Sequence, residues 1–206
     1  LEGSPQLLPT FEKDMVKVVE KEMKNIGIET TVNAMAKEAV DNGDSVTVKY
    51  EVKGEAKEVT ADYVLVSVGR RANTADLGLE AIGVELTERG LVKVDNQGRT
   101  SVKNFFAIGD ITPGAALAHK ASYEGKIAAE AISGKPAAID YKVMPSVAYT
   151  TPELASYGLT EKEAKDQGLD VKTVKFPLAG NGRALSLNAG QGFIRLVATK
   201  EDDVLV

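Results

Sequence analysis

The 206-residue sequence predicts an α/β fold, and three observations carry that reading. The run "DYVLVSVG" (62–69) is almost wholly apolar from 64 to 68 and ends at Gly69, as expected of a strand buried on both faces of a parallel sheet. The run "NFFAIGDI" (104–111) places four apolar side chains in a row before Gly109 and then ends on the carboxylate of Asp110. Two long segments of helical character, 11–26 and 116–133, complete the mixture of helix and strand.

Taken in order, Phe11, Met15, Val18, Val19, Met23 and Ile26 recur at helical spacing, with Thr10 suited to cap that helix and Gly27 to end it. Strand-like segments follow at 28–35, 46–52, 57–60 and 62–69, with "NGD" (42–44) and "KGE" (53–55) supplying turns. Further strands are expected at 91–94 and 105–108, on either side of the turn-rich "DNQGR" (95–99). The Ala-rich helix over 116–133 is closed by Gly134, and "KPAAIDYKVMP" (135–145) reads as a linker. A different unit starts near Pro145: a strand "SVAYT", a helix at 160–167 opened by a Thr160/Glu163 capping box and stopped by Gly168, then strands near 170–176 and 192–198.

Composition narrows the chemistry. Hydrophobic residues make up 43% of the chain, enough for a real core, and 25 basic against 30 acidic residues leave a net charge of -5 that argues against nucleic acid as a partner. No apolar stretch approaches the roughly 20 residues of a membrane span, and the sequence is read as soluble and cytoplasmic. With no cysteine and a single histidine, His119, neither a disulfide framework nor a zinc cluster is expected. The start lacks Met, and 192–206 reads as a strand, a polar turn and a returning strand barely begun, so an internal piece of a longer chain is expected.

Three residues raise the question of ligands. A carboxylate ending a buried run loses hydration unless hydrogen bonds replace it. Asp110 is therefore either a ligand for sugar-like hydroxyls or the cap of the helix that follows. In open α/β sheets ligands bind beyond the carboxyl ends of strands, which makes Gly69 either a point of close ligand approach or a plain turn glycine. Glu2, if it follows the last residue of a strand, stands where dinucleotide-binding folds place the acid that holds a ribose; otherwise it is a surface acid. The glycine fingerprint that accompanies such an acid is not in this chain.

Together, "VLVSVGRRANT" (64–74), "RTSVKNFFAIGDI" (99–111), "LAHKASYEGKIAAEAI" (117–132) and "MPSVAYTTPELASYGLTEKEA" (144–164) resemble, in order and spacing, the flavin-dependent disulfide reductases over essentially the whole chain. Ala72 departs from the pattern, since the family usually has Pro after the paired arginines. The resemblance implies parts of two Rossmann-like domains and the start of an α+β dimerisation domain. Residues 1–72 would be the latter part of an NAD domain, 73–142 the returning part of an FAD domain, and 144–206 the start of the dimerisation domain. It further implies that Glu2 holds the NAD ribose, that Val32 and Gly69 line the same dinucleotide, and that Asp110 binds the ribitol chain of FAD. Ala118 would contact the flavin through its backbone, flanked by Leu117 and His119. His119 is read as a flavin-flanking residue, because the family's general base is a different histidine. Arg70 and Arg71 are secondary phosphate candidates, and Asn181, Gly182 and Arg183 belong to a loop or interface.

The likeness is nearest to the members that oxidise the dihydrolipoyl arm of 2-oxo-acid dehydrogenase complexes, passing electrons through a disulfide and FAD to NAD+. It implies a homodimer that meets a lipoyl domain and its core acyltransferase. These 206 residues, without redox cysteines, are expected to be inactive alone. Mercuric, glutathione and coenzyme A disulfide reductases of the same family stay open as alternatives, as does a non-catalytic nucleotide-binding or scaffold protein of this fold.

Overall fold

Helix α1 (Lys13–Asn25) forms because its apolar stripe has something to cover: Phe11, Val16 and Val19 bury with Leu154 into one core, edged by Leu7, Leu8, Met15, Met23 and Ala148. The computed structural model describes residues 1–206, the Val143 side chain excepted. The N-cap of α1 is Glu12, which makes no side-chain cap bond. Thr10 is not the cap, because the helix begins later: the Glu12 carbonyl takes the first bonds, from the amides of Met15 (3.0 Å) and Val16 (3.1 Å). At the other end Gly27, at φ +83°, lets its own amide reach the Lys24 carbonyl and that of Ile28 reach Met23, which satisfies two orphan carbonyls.

Strands β1 (Ala34–Asp41), β2 (Val46–Val52) and β3 (Glu55–Ala61) form an antiparallel meander with a register shift between Ala36 and Glu38. Lys53 and Gly54, both at positive φ, make the two-residue turn from β2 to β3. The strand expected over 28–35 starts only at Ala34. Residues 31–34 instead bond irregularly to the chain's first residues, through Glu2 N–H to the Thr31 carbonyl (2.8 Å), Asn33 to Ser4 (2.9 Å) and Ala34 to Glu2 (2.9 Å).

Two antiparallel strand pairs follow late in the chain, β4 (Ser146–Ala148) with β5 (Leu154–Ser156), and β6 (Val171–Pro177) with β7 (Phe193–Thr199) across the longer connection 178–192. Helix α3 (Glu161–Asp166) carries the expected capping box, with Glu163 N–H donating to Thr160 Oγ1 (3.2 Å) and Thr160 N–H to Glu163 Oε2 (2.8 Å). Its Ala164 packs with Val171 and Val197. After β7 the chain turns and returns, pairing Leu205 with Ala198.

The chain divides into two compact units, one made of Leu1–Val66 with Pro145–Val206, the other of Ser67–Met144. The second holds helix α2 (Ala118–Ile132), three 3-10 turns and a core of Val84, Val92 and Ala107.

The parallel strand expected over 64–68 does not form. Residues 63–74 carry no regular element, with Tyr63 92% and Leu65 91% exposed. A doubly buried strand exists only between two hydrogen-bonded neighbours, and none of the three sheets among the described residues includes this segment. The segments at 91–94 and 105–108 likewise reduce to isolated bridges, Leu86 with Val92 and Arg99 with Phe106. The turn closes locally, Asp95 N–H to Arg99 O (3.0 Å), and Thr100 N–H then bonds Phe105 O (3.0 Å), so neither segment finds the other. Of the apolar run before Asp110 only Ala107 is buried, while Phe105 and Ile108 are exposed.

Candidate cofactor site

The peptide chain around Asp110 forms a single 3-10 turn, Gly109–Ile111, seated on the first turn of α2. Gly109 has φ +76°, and a Cβ there would stand 3.2 Å from the Cβ of Ala121, so both backbone conformation and helix contact call for glycine. Its amide donates to Glu124 Oε2 (2.6 Å), and its carbonyl accepts from Lys120 Nζ (2.9 Å) and Thr112 Oγ1 (2.8 Å). Beyond the turn, the Ile111 carbonyl accepts from the Val92 amide (2.8 Å). Every backbone tie points inward, and the Asp110 carboxylate is left on the exposed side.

Asp110 caps no helix. The N-cap of α2 is Leu117, in extended conformation and without a side-chain cap bond, so Ala118 and His119 open a 15-residue helix. The fold thus brings Asp110, Leu117, Ala118 and the half-buried His119 to one end of α2.

The network beneath was not foreseen from sequence. Lys120 Nζ lies 3.1 Å from Glu124 Oε1, with both side chains about 1% exposed, and Lys120 also donates to Thr112 Oγ1 (3.0 Å). The Tyr141 hydroxyl donates to Glu124 Oε1 (2.8 Å). Burial and the neighbouring Glu124 carboxylate push the Tyr141 hydroxyl up to about 12. A Lys and a Glu four apart on a helix ordinarily form a solvated pair; the one hint here is their setting among alanines in "LAHKASYEGKIAAEAI".

In the other unit, Glu2 and Val32 are neighbours, because the Glu2 backbone bonds residues on either side of Val32. Ser4 N–H donates to Glu2 Oε1 (2.6 Å), and hydrogen bonding from the Ser4 side chain first, then from this amide, holds the carboxyl below its ordinary value. Gly69 has φ +110° and lies exposed, and a Cβ there would meet nothing within 4 Å. Its conformation, and not crowding, is what suits glycine. Arg70 and Arg71 are exposed. The side chain of Asn181 caps helix α4 (Gly182–Ser186) through the Ala184 amide (2.9 Å), which gives that residue a structural task. Among the described residues no cluster of three His, Cys, Asp or Glu is placed to hold a metal, and no helix is long and apolar enough to cross a membrane.

Residues 1–125 match the family model described as pyridine nucleotide-disulphide oxidoreductase. The chain belongs to the pyridine nucleotide-disulphide oxidoreductases. Residues 144–206 match that family's dimerisation domain. Among its curated relatives in the family, the dihydrolipoyl dehydrogenases of Geobacillus stearothermophilus and Bacillus subtilis are each 57% identical, over 100% of this chain and 44% of their own length. That of Halobacterium salinarum is 40% identical over 97% of this chain and 42% of its own. The chain thus spans less than half the length of these relatives. Among solved structures, LpdA from Mycobacterium tuberculosis superposes with a TM-score of 0.91 at 26% identity, over 99% of this chain and 44% of that one.

Proposed function

We propose that this chain supplies a flavin-binding surface, a nucleotide-binding surface and a subunit contact to a dihydrolipoyl dehydrogenase. That enzyme takes electrons from the dihydrolipoyl arm of a 2-oxo-acid dehydrogenase complex and delivers them to NAD+. The observation that carries the reading is the Gly109–Ile111 turn, which offers the exposed Asp110 carboxylate beside the start of α2.

The residues present fit FAD. A ribitol chain brings hydroxyl donors, for which an ionised carboxylate is an acceptor; a flavin ring brings carbonyl oxygens, for which the first amides of a helix are donors. Asp110 would orient the polyol, and the backbone of Ala118, flanked by Leu117 and His119, would hold the ring edge. Bound there, FAD would supply two-electron chemistry between a dithiol and a nicotinamide. These 206 residues contain no cysteine, so thiol–disulfide exchange falls to residues other than these.

On the nucleotide side, Glu2 would accept from the ribose hydroxyls of NAD, with Val32 beside it. The bond from Ser4 favours the ionised form, and that charge repels a 2′-phosphate, which supports NAD over NADP. Gly69, in the other unit, is proposed as a point of close backbone approach. The division into 1–72, 73–142 and 144–206 belongs to the same proposal, as do a cytoplasmic location and contact with a lipoyl domain and its acyltransferase core. A homodimer is supported by the dimerisation-domain match and by an exposed apolar face on β6–β7, where Val174 opposes Leu196 and Phe176 opposes Ile194.

The test is to purify the full-length protein that contains this sequence and measure its visible flavin band and its NAD-dependent oxidation of dihydrolipoamide. A yellow protein with that activity, and an Asp110→Asn variant that loses flavin, are expected. A colourless protein that takes up no added FAD defeats the proposal. Flavin binding with preference for glutathione disulfide, coenzyme A disulfide or mercuric ion, driven by NADPH, would move it to another branch of the family.

A further inference from the structure

Lys120 and Glu124 are the only charged side chains fully buried among the described residues. A buried ion pair is a poor way to gain stability, since well-packed apolar residues of similar volume often serve as well or better. Helix α2 is Ala-rich and already packs through Ala128 and Ala131. Core packing therefore gives no reason for charges at 120 and 124.

What the pair does is specific. Glu124 takes the amide of Gly109 and Lys120 takes its carbonyl, so the residue that precedes Asp110 is gripped at both polar ends. Thr112 joins the same carbonyl from beyond the turn, and Val92 holds Ile111. Tyr141 occupies a remaining lone pair of Glu124. Asp110 is left with its side chain as its main freedom. Gly114 supports the arrangement, since a Cβ there would come within 3.1 Å of Lys120 Cε.

We infer that the buried Lys120–Glu124 pair is a positioning device, which sets the Gly109–Ile111 turn so that Asp110 meets the flavin polyol in one fixed orientation. The inference rests on the flavin reading of Asp110. Orienting groups one layer behind a ligand contact typically cost about 10–100-fold in affinity or activity when removed, as documented for metal sites.

The experiment compares Lys120→Met/Glu124→Gln with Asp110→Asn in the full-length protein. The double variant removes both charges at nearly constant volume, so no buried charge is left unpaired. Far-ultraviolet circular dichroism reports folding, titration of apoprotein with FAD reports affinity, and visible circular dichroism of the bound flavin reports its setting. We expect the double variant to fold, to bind FAD about 10–100-fold more weakly, and to show displaced visible bands; a merely structural pair would leave those bands in place. Weakened binding in Asp110→Asn, together with wild-type affinity and bands in the double variant, overturns the positioning role alone. Wild-type binding in Asp110→Asn overturns the flavin reading and this inference with it. Should the double variant not fold, Thr112→Val and Tyr141→Phe decide, each deleting one hydroxyl of the network: a shifted affinity or spectrum supports the role, and wild-type values in both overturn it.

Discussion

Arg195 Nη2 lies 3.0 Å from Asp14 Oδ1, so a carboxylate in the first turn of α1 meets a guanidinium on β7 across 181 residues of chain. Glu12 reaches the same guanidinium at 2.7 Å and Lys175 reaches Asp14 at 3.0 Å, while Lys175 and Arg195 both lie over the ring of Phe193. Burial raises the Asp14 carboxyl, but hydrogen bonds from Lys175 and Arg195 outweigh it and the group sits below its ordinary value. A depressed folded value means stability that is present above the unfolded value, about 3.9, and lost as pH falls through the folded one. Asp14→Asn should therefore destabilise the fold at pH 7, by less than about 1 kcal/mol because the pair is part-exposed. The gap to wild type should close below about pH 4. Thermal unfolding of both proteins from pH 3 to pH 7 checks this, and a gap that persists at pH 3 contradicts it.

Glu2 should govern nucleotide choice. Replacing it with Gln removes a charged acceptor and should weaken NAD binding about tenfold, the worth of one charge-assisted hydrogen bond, while NADP binding holds or improves. Michaelis constants for both nucleotides in the full-length protein provide the comparison; an equal change in both contradicts the assignment.

Thr160→Ala should destabilise the unit that contains α3 by about 1 kcal/mol, because it deletes half of a reciprocal cap on a helix of only 6 residues. Thr160→Ser retains the hydroxyl and should cost little. Denaturant midpoints of the two variants settle the contrast.

One of the 6 tyrosines should ionise late. With the Tyr141 hydroxyl pushed up to about 12 by burial and by Glu124, its neutral form stabilises the fold below about pH 10, and that contribution disappears as pH rises toward 12. Ultraviolet titration at alkaline pH should show a late-ionising tyrosine that Tyr141→Phe removes.

Elements set by local chemistry were legible in the sequence. The capping box at Thr160 and Glu163 and strand β2 at 46–52 need only neighbours in sequence or a short turn, and they stand where pattern and turn residues place them; the strands β6 and β7 also stand near the expected 170–176 and 192–198, but their pairing across 178–192 was not legible. The apolar run at 64–68 was legible as a buried parallel strand and is not one, because pairing depends on strands that this chain does not set beside it. Asp110 was visible as an anomaly, a charge closing an apolar run, and the structure sets it on an exposed turn. Its supports were not visible. A buried Lys120–Glu124 pair has the same spacing as a solvated one, and only packing tells them apart.

The bare segment from Tyr63 to Val68 has a consequence for handling. "YVLVSV" combines strong β-propensity with no charge, no proline and no glycine, and its backbone amides and carbonyls lie outside every sheet. Such a hexapeptide is a template for cross-β stacking between identical molecules. Concentrated solutions of these 206 residues should gel or form fibrils from this point, and a lysine at Leu65 or Val66 should act as a gatekeeper that keeps them clear.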